Sequence, residues 1–313
     1  MPRSQSNRGS KSPTAQAGRD SIYSYVAGTR MVLFQSVDLE GSTGYKQRLA
    51  DGQNQKWRQA ITDFLEEFPQ CYRSNYASLQ RKKKLPQCPQ AVLWKVLGDE
   101  LVFKAEVTRG AEVSLLTTAF REALGEYNSK IDELQRERRD QRSPDGGAQL
   151  RVKGSSWTAG FPVTNAVIHT GTVFDYIGPS MDMGFRLGAL ATPQRLAISV
   201  ELAWLLGTFD AKFPFHFAGR TTIKGVSEGV GYPYLWIEIP SSTYYERELD
   251  LVGGQRLRPH VIADLCYHFI KEHGVPGYLP FLISESEKTA KPSDYNTRLK
   301  KHPGRSPARL LSR

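Results

Sequence analysis

Apolar residues first gather at Met31–Val37, a run long enough for one strand, which hands over directly to Asp38 and a Gly41-Ser42-Thr43 turn. From Thr43 the spacing becomes helical: Leu49, Trp57, Ile61, Phe64, Leu65 and Phe68 recur near the helical period, Asp51-Gly52 divides the helix into two pieces, and Pro69 marks its end. Residues 70–90 lack a strong period and carry Arg81-Lys-Lys-Lys84, which predicts an exposed insertion with a solvated charge run. Ala91–Leu97 and Leu101–Ala105 flank Gly98-Asp99, predicting a β-hairpin with Asp99 at its tip. Val113, Leu116, Phe120, Leu124, Tyr127, Ile131 and Leu134 define a long amphipathic helix that stops near Ser143–Gly147. Ala166–Thr170 reads as a strand followed by a loop carrying Asp175, and a helix begins after Gly178-Pro179 and passes through Arg186 to about Ala191. Arg195–Ser199, Phe213–Ala218 and Tyr232–Ile239 complete the strands. Pro259–His273 reads as a helix with proline in its first turn, which can pack on the core or serve a dimer contact, with packing favoured. This order predicts an α+β fold with an antiparallel-rich sheet and helices on one face.

Composition changes the picture mainly through where the charge lies. The formal excess is +10, but residues 1–30 carry five Lys or Arg against one Asp, and residues 287–313 carry eight against two acids, so residues 31–286 are formally neutral. The basicity belongs to the tails, and no nucleic acid is expected on the core. Three cysteines, Cys71, Cys88 and Cys266, are odd in number and fit no zinc spacing, which favours a reduced, cytoplasmic setting. Nothing reaches the length of a membrane span. The expected organisation is a disordered basic tail at 1–22, a catalytic domain at 23–240 with insertions near 70–90 and 129–157, a helical extension at 241–286 and a second disordered basic tail at 287–313.

The chemistry-bearing positions follow from this outline. Asp38 closes the first strand and Asp99 sits at the hairpin tip, so a ferredoxin-like sheet with those strands adjacent brings two carboxylates together. Two carboxylates sharing a site repel unless a cation joins them, and backbone N–H groups at a Gly-Ser-Thr turn suit phosphates. Each motif has an ordinary structural alternative, since Asp, Ser and Gly are also common in turns and caps.

Taken together, Phe34–Thr43 and the Lys95–Asp99 hairpin resemble the paired metal-binding motifs of class III nucleotidyl cyclases. Ala166–Val173 resembles the family's next strand and turn, Met181–Leu187 its V-N-x-A-x-R-L helix, and Thr222–Gly225 its late V-K-G turn, so the resemblance spans about residues 30–239. It implies that Asp38 and Asp99, helped by the Leu39 carbonyl, hold two divalent cations (Mg²⁺ or Mn²⁺). Gly41, Ser42 and Thr43 would cradle the triphosphate, Lys224 would pair with its outer phosphates, and Arg186 would stabilise charge on the α-phosphate. Lys95 and Asp175 fall where the family reads the base, and metal and base groups of one site come from opposite subunits, implying a head-to-tail homodimer with shared sites. Asp182 replaces the usual ribose-positioning asparagine: it keeps an acceptor but loses the amide donor. This departure and the insertions resemble the pyrimidine cyclases of Pycsar antiphage systems, which implies UTP as substrate, cyclic UMP as product and a separate cyclic-nucleotide effector. Lys95 and Asp175 can match uracil, cytosine or adenine, so cyclic CMP and cyclic AMP remain alternatives, and Tyr45 can either shrink the base pocket or simply pack. A catalytically silent nucleotide-sensing or nucleic-acid-binding domain is the non-enzyme alternative.

Overall fold

A computed structural model describes residues 29–48, 56–140, 150–170, 173–210, 212–225, 230–240, 256–273, 279–284, 289 and 291–301. The proposed tail at 1–22, the Asp51-Gly52 break and the helix stop near Ser143–Gly147 lie outside the described residues.

The elements run β1 (Arg30–Glu40), α1 (Ser42–Arg48), α2 (Lys56–Lys83), β2 (Val92–Leu97), β3 (Glu100–Val107), α3 (Gly110–Asp140), β4 (Arg151–Phe161), β5 (Ala166–Thr170), β6 (Val173–Ile177) and α4 (Pro179–Leu187). They continue as β7 (Arg195–Ile198), α5 (Val200–Phe209), β8 (Phe215–Thr221), β9 (Tyr232–Glu238), α6 (Pro259–His273) and α7 (Tyr295–Lys301). Seven strands form one sheet in the order β2-β3-β1-β4-β7-β9-β8, and β5 and β6 form a separate antiparallel ribbon. Only the β4–β7 pair is parallel, so the sheet is antiparallel-rich and the fold is α+β.

The central strand β1 sorts its side chains by the period of two. Gln35, whose amide donates to the Leu116 carbonyl of α3, faces the long helices. Gly154 of β4 lies on the same side, where an added Cβ would come within 2.8 Å of Leu124 and 3.1 Å of Phe120. Helices α2, α3 and α5 thus cover this face, and α6 packs outside α5 so closely that a Cβ at Gly207 would sit 2.6 Å from the Pro259 carbonyl. The opposite row of β1, Phe34, Ser36 and Asp38, faces the β5–β6 ribbon and the short α4. Phe34 stacks on Trp157 at 5.5 Å and meets Tyr176 edge-on at 5.2 Å, and Trp157 touches Phe185 of α4 at 5.3 Å.

The structure departs from the sequence pattern at several elements. Helix α2 does not end at Pro69 but runs on to Lys83, and residues 70–83 are not fully exposed: Tyr72, Tyr76 and Leu79 are buried. Their burial outweighs the hydrogen bond that proline removes. Within the stretch 129–157, α3 continues to Asp140 and central strand β4 begins at Arg151. On one face of that strand Leu124 and Phe120 leave room only for Gly154, and on the other Ser155 lines a polar cleft, so β4 carries no regular apolar alternation. Asp175 lies on strand β6 rather than in a loop. Helix α5 has no polar stripe to betray it, since Val200 and Leu202–Leu206 are all buried. Within 287–313, Thr289 and Tyr295 are buried and α7 forms, while 302–313 lie outside the described residues. No helix among the described residues is long and apolar enough to cross a membrane.

Candidate active site at the β1–β3 carboxylate cleft

Strands β1 and β3 pair in a register that sets Asp38 opposite Glu100, so the end of β1 and the tip of the β2–β3 hairpin meet. The Leu39 N–H donates to the Asp99 carbonyl at 3.3 Å, and the Ser42 hydroxyl donates to the Asp99 carboxylate, tying the hairpin tip to the turn after β1. Gly41 has φ of 84°, a left-handed conformation that admits this sharp turn into α1. Gly98 at φ 71° does the same for the hairpin. The two aspartates foreseen from the sequence therefore converge, and a third carboxylate, Glu100, joins them with the Ser36 hydroxyl as its donor.

These groups line a cleft of about 290 Å³ together with Lys153, Ser155, Phe185 and Gly188. Burial, reinforced by the Asp99 charge and opposed by Lys153, raises the Asp38 carboxyl above its ordinary range. Burial raises Glu100 as well, with further contributions from Asp38 and Asp99. Two ammonium groups face the acids: Lys153 Nζ lies 3.7 Å from Asp38 and Lys46 Nζ 3.6 Å from Asp99. Glu100 and Lys153 were not anticipated. Glu100 was readable as the residue in register with Asp38 once the hairpin turn was placed, whereas Lys153 needed β4 to be recognised.

A divalent cation fits this donor set in part. The oxygens are hard ligands, and burial together with the neighbouring carboxylates raises the proton affinity of Asp38 and Glu100. Among the described residues no group of three or more His, Cys, Asp or Glu side chains is placed to hold a metal ion. Mg²⁺ commonly binds through one or two carboxylates and completes its shell with water and substrate phosphate, which suits Asp38 and Asp99.

The remaining candidates lie beside aromatic anchors that share one cluster around Phe34. Trp94 precedes Lys95, Tyr176 follows Asp175 and Phe185 precedes Arg186; Trp94 lies 5.4 Å from Phe34, 5.1 Å from Tyr176 and 6.4 Å from Phe185. Such pairs contribute roughly 0.5–1.5 kcal/mol each beyond their burial and fix where the adjoining polar residues emerge. Lys95 and Asp175 are brought together as an ion pair at 2.6 Å, and the Trp94 indole donates to the Phe174 carbonyl at 3.0 Å. Arg186 is exposed at the end of α4, and a Cβ on Gly225 would lie 3.5 Å from its Nη2, so Arg186 and the Lys224-Gly225 turn are neighbours. Lys224 and Asp182 are exposed. Tyr45 is buried in α1, which is the packing position of the two open to it. Thr43 and Gly41 are exposed beside the cleft. Among the described residues, no hydrogen bond or ion pair joins Arg186 or Lys224 to Asp38 or Asp99.

No protein-family model matches the chain, and no curated protein matches it in sequence. Several solved structures resemble it. The adenylyl cyclase CyaB from P. aeruginosa is 14% identical, with 69% of this chain and 97% of that one covered at a TM-score of 0.47. The guanylyl cyclase Cya2 is 15% identical, with 68% and 93% covered at 0.40. A Trypanosoma brucei adenylate cyclase in its monomeric state is 16% identical, with 71% and 94% covered at 0.42.

Proposed function

We propose that the chain is a divalent-metal-dependent nucleotidyl cyclase that converts UTP to 3′,5′-cyclic UMP and pyrophosphate. The observation that carries this is the convergence of Asp38 and Asp99 across β1 and the hairpin, beside the Gly41–Thr43 turn. Bound cations would acidify the ribose 3′-hydroxyl and neutralise the leaving pyrophosphate. The protein's own part is to position and to exclude water. Asp38 and Asp99 hold the cations with the Leu39 carbonyl, and the N–H groups of Gly41, Ser42 and Thr43 hold phosphate oxygens. Arg186 and Lys224, adjacent in the fold, present a paired positive charge to the α-phosphate and the outer phosphates. Asp182 accepts from the ribose. Lys95 and Asp175 offer a donor and an acceptor side by side, which suits recognition of a base edge.

The homodimer, with each site completed by the partner, rests on the same sequence resemblance that assigns the metal and base-reading residues to opposite subunits. The preference for UTP, a role in antiphage signalling and a downstream effector that senses the product rest on the sequence resemblance to pyrimidine cyclases. The Lys95–Asp175 pair also matches cytosine and adenine, so CTP and ATP are the competing substrates. Incubating the purified protein with each of the four nucleoside triphosphates and Mg²⁺ or Mn²⁺, with products identified by mass, tests this. Cyclic UMP is expected, and Asp38→Ala is expected to abolish it while the protein stays folded. Cyclic AMP alone would overturn the pyrimidine assignment, and no cyclic product would overturn the enzyme.

A further inference from the structure

Lys153 has no counterpart among the motifs that point to catalysis, yet it is built into the cleft. It stands directly opposite Asp38 in the β1–β4 register, its Nζ lies 3.7 Å from Asp38 Oδ2, and its side chain is only 19% exposed. Two residues along the same strand and on the same face, Ser155 is 1% exposed, lines the cleft and has a hydroxyl without a hydrogen-bond partner. A buried hydroxyl left without a partner is costly, and one that opens into a polar cleft marks a place for a ligand or its water shell. The cleft is therefore furnished for a ligand at its floor, while a fixed ammonium neutralises its principal acid at the rim.

We propose that Lys153 is the resident counter-cation of the metal cleft: it occupies Asp38 when no metal is bound and must be displaced or share that carboxylate when a divalent ion enters. This inference rests on the metal assignment made for Asp38 and Asp99. Like charges a few ångströms apart in a half-buried cleft oppose one another, so the lysine weakens divalent binding. In return, it offsets the charge of Asp38 beside Glu100 in the metal-free protein, as Lys46 does for Asp99. Lys153 is a positioning residue whose role is to set the metal concentration at which the cleft becomes loaded.

The test is Mn²⁺ binding to the full chain without nucleotide, followed by electron paramagnetic resonance of free Mn²⁺ and by calorimetry. Lys153→Met keeps the aliphatic stem and removes the charge; Mn²⁺ affinity is expected to rise by roughly tenfold. Lys153→Gln, which keeps polarity in case the methionine variant folds poorly, is expected to shift in the same direction. Lys153→Arg is expected to stay near the parent. Affinity unchanged or weakened in both neutral variants, or no binding by any of them at millimolar Mn²⁺, overturns the proposal. Because no substrate is present, the result is independent of which nucleotide is cyclised: tighter Mn²⁺ binding with no cyclic product would uphold the role of Lys153 and sink the enzyme instead.

Discussion

Gln35 shows how single polar residues fix the register of the core. It is 1% exposed, donates to the Leu116 carbonyl and accepts from the Tyr72 hydroxyl, so β1, α2 and α3 are tied at one buried point. Tyr72→Phe removes that donor and leaves the Gln35 carbonyl oxygen short of a partner; chemical denaturation is expected to show a loss of about 1–3 kcal/mol with the slope unchanged. At this scale the sequence is legible where turn chemistry exposes a residue and opaque where pairing creates it. Asp38 and Asp99 stand out because a strand end and a Gly-Asp hairpin tip announce themselves locally. Glu100, Lys153 and Ser155 acquire meaning only from the β1–β3 and β1–β4 registers, which no local pattern states.

Among the elements, α4 shows the tightest fit. A Cβ on Gly184 would fall 2.1 Å from the Trp157 ring, and Trp157 is itself stacked on Phe34, so the helix reaches the sheet only because glycine is there. Gly184→Ala is expected to push α4 off the sheet, with a drop of about 2–4 kcal/mol or outright misfolding in thermal denaturation, and with loss of turnover exceeding what stability explains. The same packing density explains what the sequence hid. Strand β4 is small and polar at its centre because Leu124 and Phe120 crowd Gly154 on one face while Ser155 lines the cleft on the other, and α5 is largely apolar because α3, α6 and the sheet surround it. Both evade a search for amphipathic period, which is a signature of elements with one wet face. Elements with such a face, α3 and the β2–β3 hairpin, were readable in outline. Only the reach of α2 past Pro69 defeated a local rule, through the tyrosines it buries.

For the whole molecule, the proposed homodimer with shared active sites makes a strict prediction. Asp38→Ala and Arg186→Ala chains, each inactive alone, are expected to regain about one quarter of parent activity when mixed, since half the dimers are mixed and each of those holds one intact site of two. No recovery would show that both groups serve a site within one chain. A second prediction concerns acid. Glu238 sits where the far edge of the sheet meets the segment leading to α6: it is held by His216 at 2.6 Å and by Arg256 at 2.8 and 2.9 Å. Burial works to raise its carboxyl, but these partners win and hold it at about 2, against an ordinary 4.5. A depressed carboxyl stabilises the fold above the ordinary value and loses that contribution as pH falls toward the folded one. Between pH 4.5 and 2 the parent should lose stability faster than Glu238→Gln, as read by denaturant midpoints across that range. The opposite edge of the sheet carries a different consequence. Strand β2 pairs on one side only, and Val92, Leu93, Val96 and Leu97 are 44–52% exposed along it. An apolar rim of this kind seeks cover, and when the cover is a second copy that also completes the site, output no longer scales with the number of chains. Under that pairing, turnover at dilution rises with the square of the protein concentration rather than in proportion to it.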